Sequence, residues 1–415
     1  MKLSEDLNWR GLIKDKTFAD IGWLDEPRTF YLGVDAASAD SLTIGNLAIF
    51  MTARRLLDSG WKTILLVGGA TSLIGDPKDT EERELKPREE IEKNVEGIKN
   101  QISKLFAGKE FTPADNYDWF KEVGYLDFLR DVGKNFAMSE LMQREFVNER
   151  MNSGISYAEF SYSLIQGYDY WQLQQKHGVE LQIGGSDQWG NMLSGVSLVR
   201  KKEGKEVQAL SMPLVVNKAT GVKFGKSEEG AVWLDPAKTS PTQFFQFWIN
   251  TSDEDVEDYL KIFTLLSKEG IEQIMSEQQD DPSKRVAQTR LAEEVTKIVH
   301  GDSGDSAEGV TKFLTGQSPI AEASDEELGM IREEVPGVNI GSRNGIWDPS
   351  VVAALVDSGL ASSNTEARRL LGGGAIYLNG QSINRDTFEP GDFQNGRLLL
   401  RRGKAFKDSA LVELE

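Results

Sequence analysis

The chain has 415 residues, a formal net charge of −19, no cysteine and two histidines. This length predicts two or three domains with separate cores. The composition excludes disulfides, thiolate zinc sites, cysteine nucleophiles and a histidine-rich metal site. The acidic balance argues against a broadly nucleic-acid-binding surface, although one domain can still carry a local basic patch. Because the start "MKLSEDLNWRG" is polar and no apolar run reaches membrane-spanning length, we expect a cytoplasmic protein without a signal peptide.

Short apolar runs alternate with helical patterns in the first part of the chain. Strands are predicted over residues 28–35, 62–69, 179–185 and 212–216, and a helix over 45–60. Strands separated by helices are typical of βαβ units. The predicted fold class is therefore α/β, with a Rossmann-like parallel-sheet domain over residues 1–235.

The rest of the chain changes character twice. Residues 236–316 have apolar side chains at spacings of three and four, which predicts a helical domain. Residues 317–348 are acidic and weakly periodic, so we expect a linker, partly mobile. Residues 349–415 predict a small α+β domain with two short helices and a hairpin that turns at Asn379-Gly380.

The last domain is neutral within an acidic chain, and its basic residues are clustered. They are Arg368 and Arg369 in one run, and Arg401 and Arg402 in "RLLLRRGK". One interpretation is a solvated helix face with a strand edge guarded by cations. The other is a small RNA-binding module with two positive patches.

Two glycine-bearing turns follow predicted strands. "LVGGATSLIGDP" ends at Asp76, a carboxylate placed where parallel α/β sheets bind ligands, and it could hold an ammonium group there. "LQIGGSDQWGNM" brings Gly185 and Asp187 to a similar position. Asp187 is either a helix N-cap or part of a site where glycine lets a flat or phosphorylated ligand approach the backbone.

Two further stretches carry polar groups in a defined pattern. "SYSLIQGYDYWQL" places Tyr162, Gln166 and Asp169 on one helix face. Since the flanking residues are mostly apolar, this face is better explained as the wall of a polar pocket than as a solvated surface. "GVKFGKS" ends with Lys223, Lys226 and Ser227 in a loop context, which by itself fits either a solvated turn or a phosphate-binding loop.

Five stretches occur in one order: "YLGVDAASADSLTIGNL", "VGGATSLIGDP", "YSLIQGYDY", "LQIGGSDQWGN" and "KFGKS". With the C-terminal module, this order resembles bacterial-type tyrosyl-tRNA synthetases, which are class I aminoacyl-tRNA synthetases. The resemblance implies a catalytic domain with a dimer-forming insertion in 1–235, an anticodon-region helical domain in 236–316 and an RNA-binding module in 349–415. It also implies a homodimer that uses L-tyrosine, tRNA(Tyr) and ATP with Mg²⁺, with no protein-bound metal and no membrane contact.

The resemblance assigns roles residue by residue. Six residues would bind tyrosine: Tyr31, Asp76, Tyr162, Gln166, Asp169 and Gln188. Six would contact ATP: Asp35, Gly45, Asn46, Gly185, Asp187 and Lys226. Six would act on the phosphates during catalysis: Ser38, Thr43, Arg83, Lys223, Lys226 and Ser227. Four would bind RNA: Arg368, Arg369, Arg401 and Arg402. In this assignment Tyr31 and Asp169 hold the substrate phenol, and the family is itself the standard example of rejecting phenylalanine in this way.

The chain departs from the family pattern at several positions. The usual His-Ile-Gly-His signature is here "TIGN", so Thr43 replaces a histidine expected to bond the departing phosphate. A threonine hydroxyl still donates, but it is shorter and never cationic. The loop after Asp76 is shortened, and Lys78 or no residue replaces its mobile lysine. Leu32 stands where a ribose-contacting cysteine is common.

The predicted function is ATP-dependent ligation of tyrosine to tRNA(Tyr). A related ligase for tryptophan is one alternative, against which the Tyr31/Asp169 pair argues. The other is a catalytically weakened or inactive RNA-binding paralogue, for which Thr43 is the best support. The aromatic-rich stretches "NYDWF" and "YLDFLRDVGK" are candidates for the dimer interface.

Overall fold

The computed structural model describes residues 1–75, 85–142, 154, 156–216, 224, 226–227, 230–343, 346–347, 349–403 and 408–414. Contacts divide the chain into two compact units. Unit 1 comprises Met1–Lys238 and Ser252–Ala287, and unit 2 comprises Thr239–Thr251 and Gln288–Glu415. The helical region predicted as one domain over 236–316 is therefore shared between the two units.

Unit 1 contains the following main elements in chain order: α1 (Leu3–Trp9), β1 (Asp15–Lys16), β2 (Thr29–Asp35), α2 (Ile44–Asp58), β3 (Lys62–Gly68), α3 (Arg88–Leu105), β4 (Thr112–Asp115), α4 (Tyr117–Phe120), α5 (Tyr125–Asp131), α6 (Met138–Leu141), α7 (Tyr157–His177), β5 (Leu181–Gly185), α8 (Trp189–Glu203), β6 (Gln208–Met212), β7 (Lys226–Ser227) and β8 (Gly230–Ala231). The helices α10 (Val256–Phe263) and α11 (Lys268–Asp280) also belong to it, and α9 (Pro241–Ile249) belongs to unit 2.

The sheet of unit 1 has the strand order β1-β6-β5-β2-β3-β4. β2 to β6 are parallel, and β1 pairs with β6 antiparallel. β3 is buried from Thr63 to Gly68, as expected for a parallel strand covered on both faces. This confirms the predicted Rossmann-like fold. The strands β3 and β4 lie on one side of β2, and the later strands β5 and β6 lie on its other side. The strand order therefore reverses between β2 and β5. In parallel α/β sheets, the carboxyl edge at such a switch point is the usual ligand crevice.

One predicted strand is displaced. The sequence indicated a strand over 212–216, but the strand runs over Gln208–Met212 and ends there. Proline has no N–H for a ladder hydrogen bond, so Pro213 ends the pairing.

Two buried arginines fasten α10 to the rest of unit 1. Arg10, after α1, donates to the carbonyls of Lys261 and Leu266 at 2.7 and 2.6 Å. Arg55, on α2, donates to the carbonyls of Lys261 and Ile262 at 3.0 and 3.2 Å, and also to that of Thr264. The carbonyls of Lys261 and Ile262 lie in the last turn of α10, where a helix has acceptors without partners and a partial negative charge, and those of Thr264 and Leu266 lie in the segment that follows it.

Asp6 pairs with both arginines, with oxygen–nitrogen distances of 2.8 Å to Arg10 and 3.8 Å to Arg55. Burial, followed by the nearby Arg10 cation, lowers the pKa of Arg55 to about 9. The Arg55 guanidinium therefore depends on its carbonyl partners and on Asp6 to stay charged in the interior.

Unit 2 contains α12 (Val286–His300), of which the part from Gln288 onward belongs to it, then α13 (Ser303–Thr315), α14 (Asp325–Glu334), β9 (Gly337–Ile340), β10 (Ser342–Arg343), β11 (Ile346–Trp347), α15 (Val351–Asp357), α16 (Asn364–Gly372), β12 (Ile376–Leu378), β13 (Gln381–Ile383), β14 (Arg397–Arg402) and β15 (Ser409–Leu414). Its larger sheet has the order β13-β12-β14-β15-β9. The predicted hairpin is confirmed: Asn379 and Gly380, at φ 46° and 84°, join β12 to β13 as a two-residue turn.

The segment predicted as a linker contains regular structure. Ser324 caps α14 in a capping box with Glu327, and β9 pairs in parallel with β15. Leu328 and Ile331 of α14 are buried in a cluster with residues of α13 and the sheet. Apolar residues of this acidic stretch are thus buried in two clusters, with Ile320, Leu328, Ile331 and Val335 in one and Val338 and Ile340 in the other, a feature that its weak periodicity concealed.

No helix in the described parts of the chain is both long enough and apolar enough to cross a membrane.

Candidate active site

A cavity of about 210 Å³ opens at the switch point between β2 and β5. Nine of the residues assigned from the sequence line it: Tyr31, Asp35, Asn46, Tyr162, Gln166, Asp169, Gly185, Asp187 and Gln188. They come from the strands β2 and β5, the helices α2 and α7 and the turn after β5, so the fold gathers residues distant in sequence into one polar wall.

The closed end of the cavity is built around Asp169 of α7, which is 2% exposed. Its Oδ1 accepts from Trp119 Nε1 at 2.9 Å and its Oδ2 from Asn116 Nδ2 at 3.1 Å. Burial raises the pKa of the Asp169 carboxyl to about 7, and the two hydrogen bonds act in the opposite direction. Each carboxylate oxygen retains lone pairs for a further donor.

Tyr31 of β2 lies in the same wall and is 1% exposed. Within the described residues its hydroxyl has no hydrogen-bond partner. Burial, and then the Asp169 charge, raise the pKa of Tyr31 well above its usual value, so the phenol stays neutral and keeps its proton. A buried hydroxyl without a partner is unfavourable, and a ligand hydroxyl placed between Tyr31 and Asp169 would satisfy both.

Tyr162 and Gln166 occupy the same cavity-facing side of α7 as Asp169, as their spacing predicted. Gln188 is oriented from outside the cavity: Asn191 Nδ2 donates to its Oε1 at 3.1 Å, and Asn191 Oδ1 accepts from Ser163 at 2.7 Å. The oxygen of Gln188 therefore faces Asn191. Asp76 lies outside the described residues.

The open part of the cavity is lined by glycine backbone and carboxylates. A Cβ on Gly185, at the end of β5, would come within 2.5 Å of Asp187 Oδ1, so any larger residue there would displace the Asp187 carboxylate. Asp35, at the end of β2, accepts from Ser72 Oγ at 2.5 Å and from the Ala37 N–H at 3.0 Å, which fixes its carboxylate. This combination suits a ribose, whose hydroxyls donate to carboxylates.

The "TIGN" stretch begins α2. Thr43 is the N-cap residue, and Asn46 faces the cavity while Thr43 does not line it. Gly45 is exposed, and a Cβ there would come within 3.5 Å of the Phe224 carbonyl oxygen. The Phe224 backbone thus lies close to the start of α2. Ser38 is exposed and outside the cavity wall; its carbonyl accepts from Lys86 at 3.1 Å.

Phe224 is the described side chain of "KFGKS". Its ring contacts those of Tyr259 and Phe263 on α10, with centroid distances of 4.6 and 5.2 Å. Arg83 and Lys223 lie outside the described residues, and for Lys226 and Ser227 the structure describes only the backbone, which pairs with β8.

Sequence reasoning missed Asn116, Trp119 and Gln182. Gln182 of β5 lines the cavity, and its buried Oε1 has no partner among the described residues. Asn116 and Trp119 belong to "NYDWF", a candidate for the dimer interface, yet both are buried beside Asp169 within a single chain. Their position directly after β4, at the carboxyl edge of the sheet, is the signal that could have identified them.

The four basic residues assigned to RNA have different environments. Arg368 and Arg369 are exposed on α16. Arg401 is buried and donates to the carbonyls of Leu314 and Thr315, so it caps the C-terminal end of α13. Arg402 donates to the Leu360 carbonyl at 3.0 Å and pairs with Asp408. Of these four arginines, Arg368 and Arg369 on α16 are the exposed pair, whereas Arg401 and Arg402 make contacts within the module.

Within the described residues, no group of three or more His, Asp or Glu side chains is arranged to hold a metal ion.

The fold is that of the class I aminoacyl-tRNA synthetases. The family model for class I tRNA synthetases (W and Y) matches residues 24–314, and that for the SYY-like C-terminal domain of tyrosine–tRNA ligase matches residues 327–407. The chain is 42% identical to tyrosine–tRNA ligase 1 of Enterococcus faecalis, over 97% of this chain and 98% of that protein. It is 41% identical to tyrosine–tRNA ligase of Staphylococcus epidermidis, over 97% of each chain.

Solved structures agree. A C-terminally truncated mitochondrial tyrosyl-tRNA synthetase from Aspergillus nidulans superposes with a TM-score of 0.66 at 32% identity, covering 75% of this chain and 92% of that one. A tryptophanyl-tRNA synthetase from Encephalitozoon cuniculi, at 14% identity and a TM-score of 0.53, shares the fold alone. The chain belongs to the tyrosine–tRNA ligase family.

Proposed function

We propose that this chain joins L-tyrosine to tRNA(Tyr) in two steps, with the Tyr31/Asp169 cavity as its tyrosine site. Family membership over nearly the whole chain supports the reaction. The observation that supports the substrate is the closed end of the cavity, where a buried acceptor and an unsatisfied buried hydroxyl face the same space. A phenol satisfies both groups, and an indole or phenyl ring leaves at least one of them without a partner.

In the first step a tyrosine carboxylate oxygen bonds to the α-phosphorus of Mg²⁺-ATP. The bond from that phosphorus to the bridging oxygen breaks, and pyrophosphate leaves. A carboxylate is already ionised at neutral pH, so the step requires positioning and positive charge rather than a general base. Tyr162 and Gln166, with Asp76, hold the ammonium, and Gln188 donates to the carboxylate. Asp35, Gly185 and Asp187 hold the nucleotide, with Mg²⁺ carried by its phosphates.

The residues assigned to phosphate chemistry remain part of the proposal: Ser38, Thr43, Arg83, Lys223, Lys226 and Ser227. Gly45 and Asn46 remain proposed contacts to ATP. Lys223 and Lys226 would neutralise the charge that develops on the leaving pyrophosphate. The Phe224 ring packs against Tyr259 on α10, and the Phe224 carbonyl oxygen lies close to Gly45 at the start of α2. Both contacts support a position of Phe224 near the open end of the cavity.

In the second step the tyrosyl group passes to the 3′ end of tRNA(Tyr), a reaction we place in the cytoplasm. The RNA contact that we propose in the C-terminal module is α16, with Arg368 and Arg369 facing phosphate groups. Arg369 has only a long 3.9 Å ion pair to Glu366 and is otherwise exposed, so its charge is accessible to an RNA backbone.

One pair of assays tests both steps. We expect tyrosine-dependent exchange of pyrophosphate into ATP, with neither phenylalanine nor tryptophan supporting it.

Arg368→Ala/Arg369→Ala should leave this exchange unchanged and raise the KM for tRNA about tenfold at 0.15 M salt, because two phosphate contacts are lost. The control is Lys104→Ala, which removes an exposed cation from α3 of unit 1. Absence of exchange by folded protein would contradict the ligase, and an unchanged KM for tRNA would contradict the α16 surface.

We also propose that the ligase is a homodimer. Large apolar side chains are exposed on α5, α6 and the start of α7: Tyr125 at 63%, Leu126 at 77%, Met138 at 58% and Tyr157 at 61%. A cluster of this kind on one stretch of chain is typical of a protein interface.

We expect Leu126→Arg to shift sedimentation from dimer toward monomer at micromolar concentration, whereas Leu265→Arg, at an exposed leucine elsewhere in unit 1, should not. Equal sedimentation of both variants with the parent protein would place the interface elsewhere.

A further inference from the structure

Thr43 and Asn46 are one helical turn apart and form a closed hydrogen-bonded pair. The Thr43 backbone N–H lies 2.9 Å from Asn46 Oδ1, and the Thr43 hydroxyl lies 3.1 Å from the same oxygen. Only Asn46 lines the cavity. The two polar residues of "TIGN" therefore do not stand side by side facing the nucleotide.

The orientation of the Asn46 amide follows from its partners. A backbone N–H can only donate, so the amide atom that faces the Thr43 nitrogen must be the oxygen. The Thr43 hydroxyl, next to the same oxygen, then donates as well. This leaves the Asn46 amide nitrogen, with two donor hydrogens, on the opposite side of the amide group.

The Thr43 backbone is itself held by the chain that follows "KFGKS". Thr43 forms an isolated antiparallel bridge with Trp233. On either side of it, the Ile44 N–H donates to the Val232 carbonyl at 3.1 Å and the Leu234 N–H donates to the Leu42 carbonyl at 2.9 Å. Thr43 is thus a fixed support rather than a residue free to swing toward the cavity.

We propose that Thr43 is a positioning residue: it holds the oxygen of Asn46 so that the Asn46 amide nitrogen donates to a phosphate oxygen of ATP. The proposal rests on the ATP site proposed above. Thr43 would then serve activation without touching the nucleotide, although the histidine that usually occupies this position was expected to touch it. The pairing also gives a physical reason why threonine at the first position of the signature accompanies asparagine at the fourth.

The test is a double-mutant cycle in the tyrosine-dependent pyrophosphate exchange assay. Thr43→Val keeps the shape of the side chain and removes the hydroxyl, while the backbone N–H still holds Asn46. We expect Thr43→Val to lower kcat about fivefold to tenfold, as for one neutral hydrogen bond. Asn46→Ala should lower kcat about 100-fold, as for a lost donor to a developing charge. The double variant should match Asn46→Ala within about twofold, because coupled residues do not act additively.

Thr43→Ser restores the hydroxyl and should recover kcat to within about twofold of the parent protein. The KM for tyrosine should stay unchanged in all variants. Additive losses in the double variant would mean that Thr43 contacts the nucleotide directly and would overturn the inference. A Thr43→Val variant with lowered Tm and full kcat would mean that Thr43 only caps α2, and would also overturn it. Full kcat in Asn46→Ala would instead contradict the proposed ATP contact, and the inference would fall with it.

Discussion

Asp169→Ala is expected to lower kcat/KM for tyrosine in pyrophosphate exchange by about 1000-fold. The substitution removes the acceptor for the substrate phenol and takes the buried Trp119 Nε1 away from its acceptor, while Asn116 Nδ2 keeps its hydrogen bond to Thr71 Oγ1 at 3.1 Å. A hydrogen bond to a charged group and a stranded buried donor together are worth about 4 kcal/mol, and each 1.4 kcal/mol is a factor of ten in rate. Because phenylalanine makes no use of Asp169, its activation should change far less, so the preference for tyrosine should collapse.

The control for this substitution is Asp118→Ala, which removes a carboxylate from α4 that is 67% exposed and forms a surface ion pair with Lys121. Its kcat/KM should stay within about twofold of the parent value, because exposed pairs contribute little. If Asp169→Ala retained its preference for tyrosine over phenylalanine, the phenol would have to bind elsewhere.

Tyrosine binding should also depend on pH in a defined direction. Burial raises the pKa of the Asp169 carboxyl to about 7 in the free protein. The charged form accepts the phenol hydrogen bond, so binding favours ionisation and lowers that pKa in the complex. Affinity should therefore be highest near pH 8 and fall by about tenfold per pH unit below 7, with proton release on binding near neutrality. Calorimetry in buffers of different ionisation enthalpy measures that release, and its absence would contradict the assignment.

Arg55→Met is expected to lower the free energy of unfolding by about 3–5 kcal/mol, as for removal of one partner from a buried charged network. The Arg55 side chain is 5% exposed and donates to the carbonyls of Lys261, Ile262 and Thr264. Methionine fills similar space but cannot donate, so these acceptors would lose Arg55, and Asp6 would lose one of its two cations. Urea unfolding followed by circular dichroism measures the change.

Arg290→Met provides the matched comparison. Arg290 is 47% exposed and pairs with Glu293 and Glu294 on its own helix. Its loss should change stability by less than about 1 kcal/mol. Equal effects of the two substitutions would show that the carbonyl contacts of Arg55 contribute little to holding α10.

Local pattern was sufficient for the features that depend on neighbours along the chain. The spacing of Tyr162, Gln166 and Asp169 places them on one helix face wherever that helix packs. The Asn379-Gly380 turn follows from the positive φ angles that these residue types tolerate. The ordered stretches from "YLGVD" to "KFGKS" were enough to indicate the family, because the identity and order of residues do not depend on coordinates.

Only the tertiary structure decided what each side chain contacts. Asn116 and Trp119 look like surface aromatic sequence until β4 brings them beside Asp169, more than 40 positions later in the chain. Arg401 and Arg369 are equally basic in sequence, but one caps a buried helix end and the other is exposed. From the sequence, Thr43 could donate a hydrogen bond to a phosphate of the ligand. The structure shows that its hydroxyl donates to Asn46 Oδ1 instead. The physical reason is the same in each case: burial and hydrogen-bond partners are set by segments far apart in sequence, and local periodicity carries no information about them.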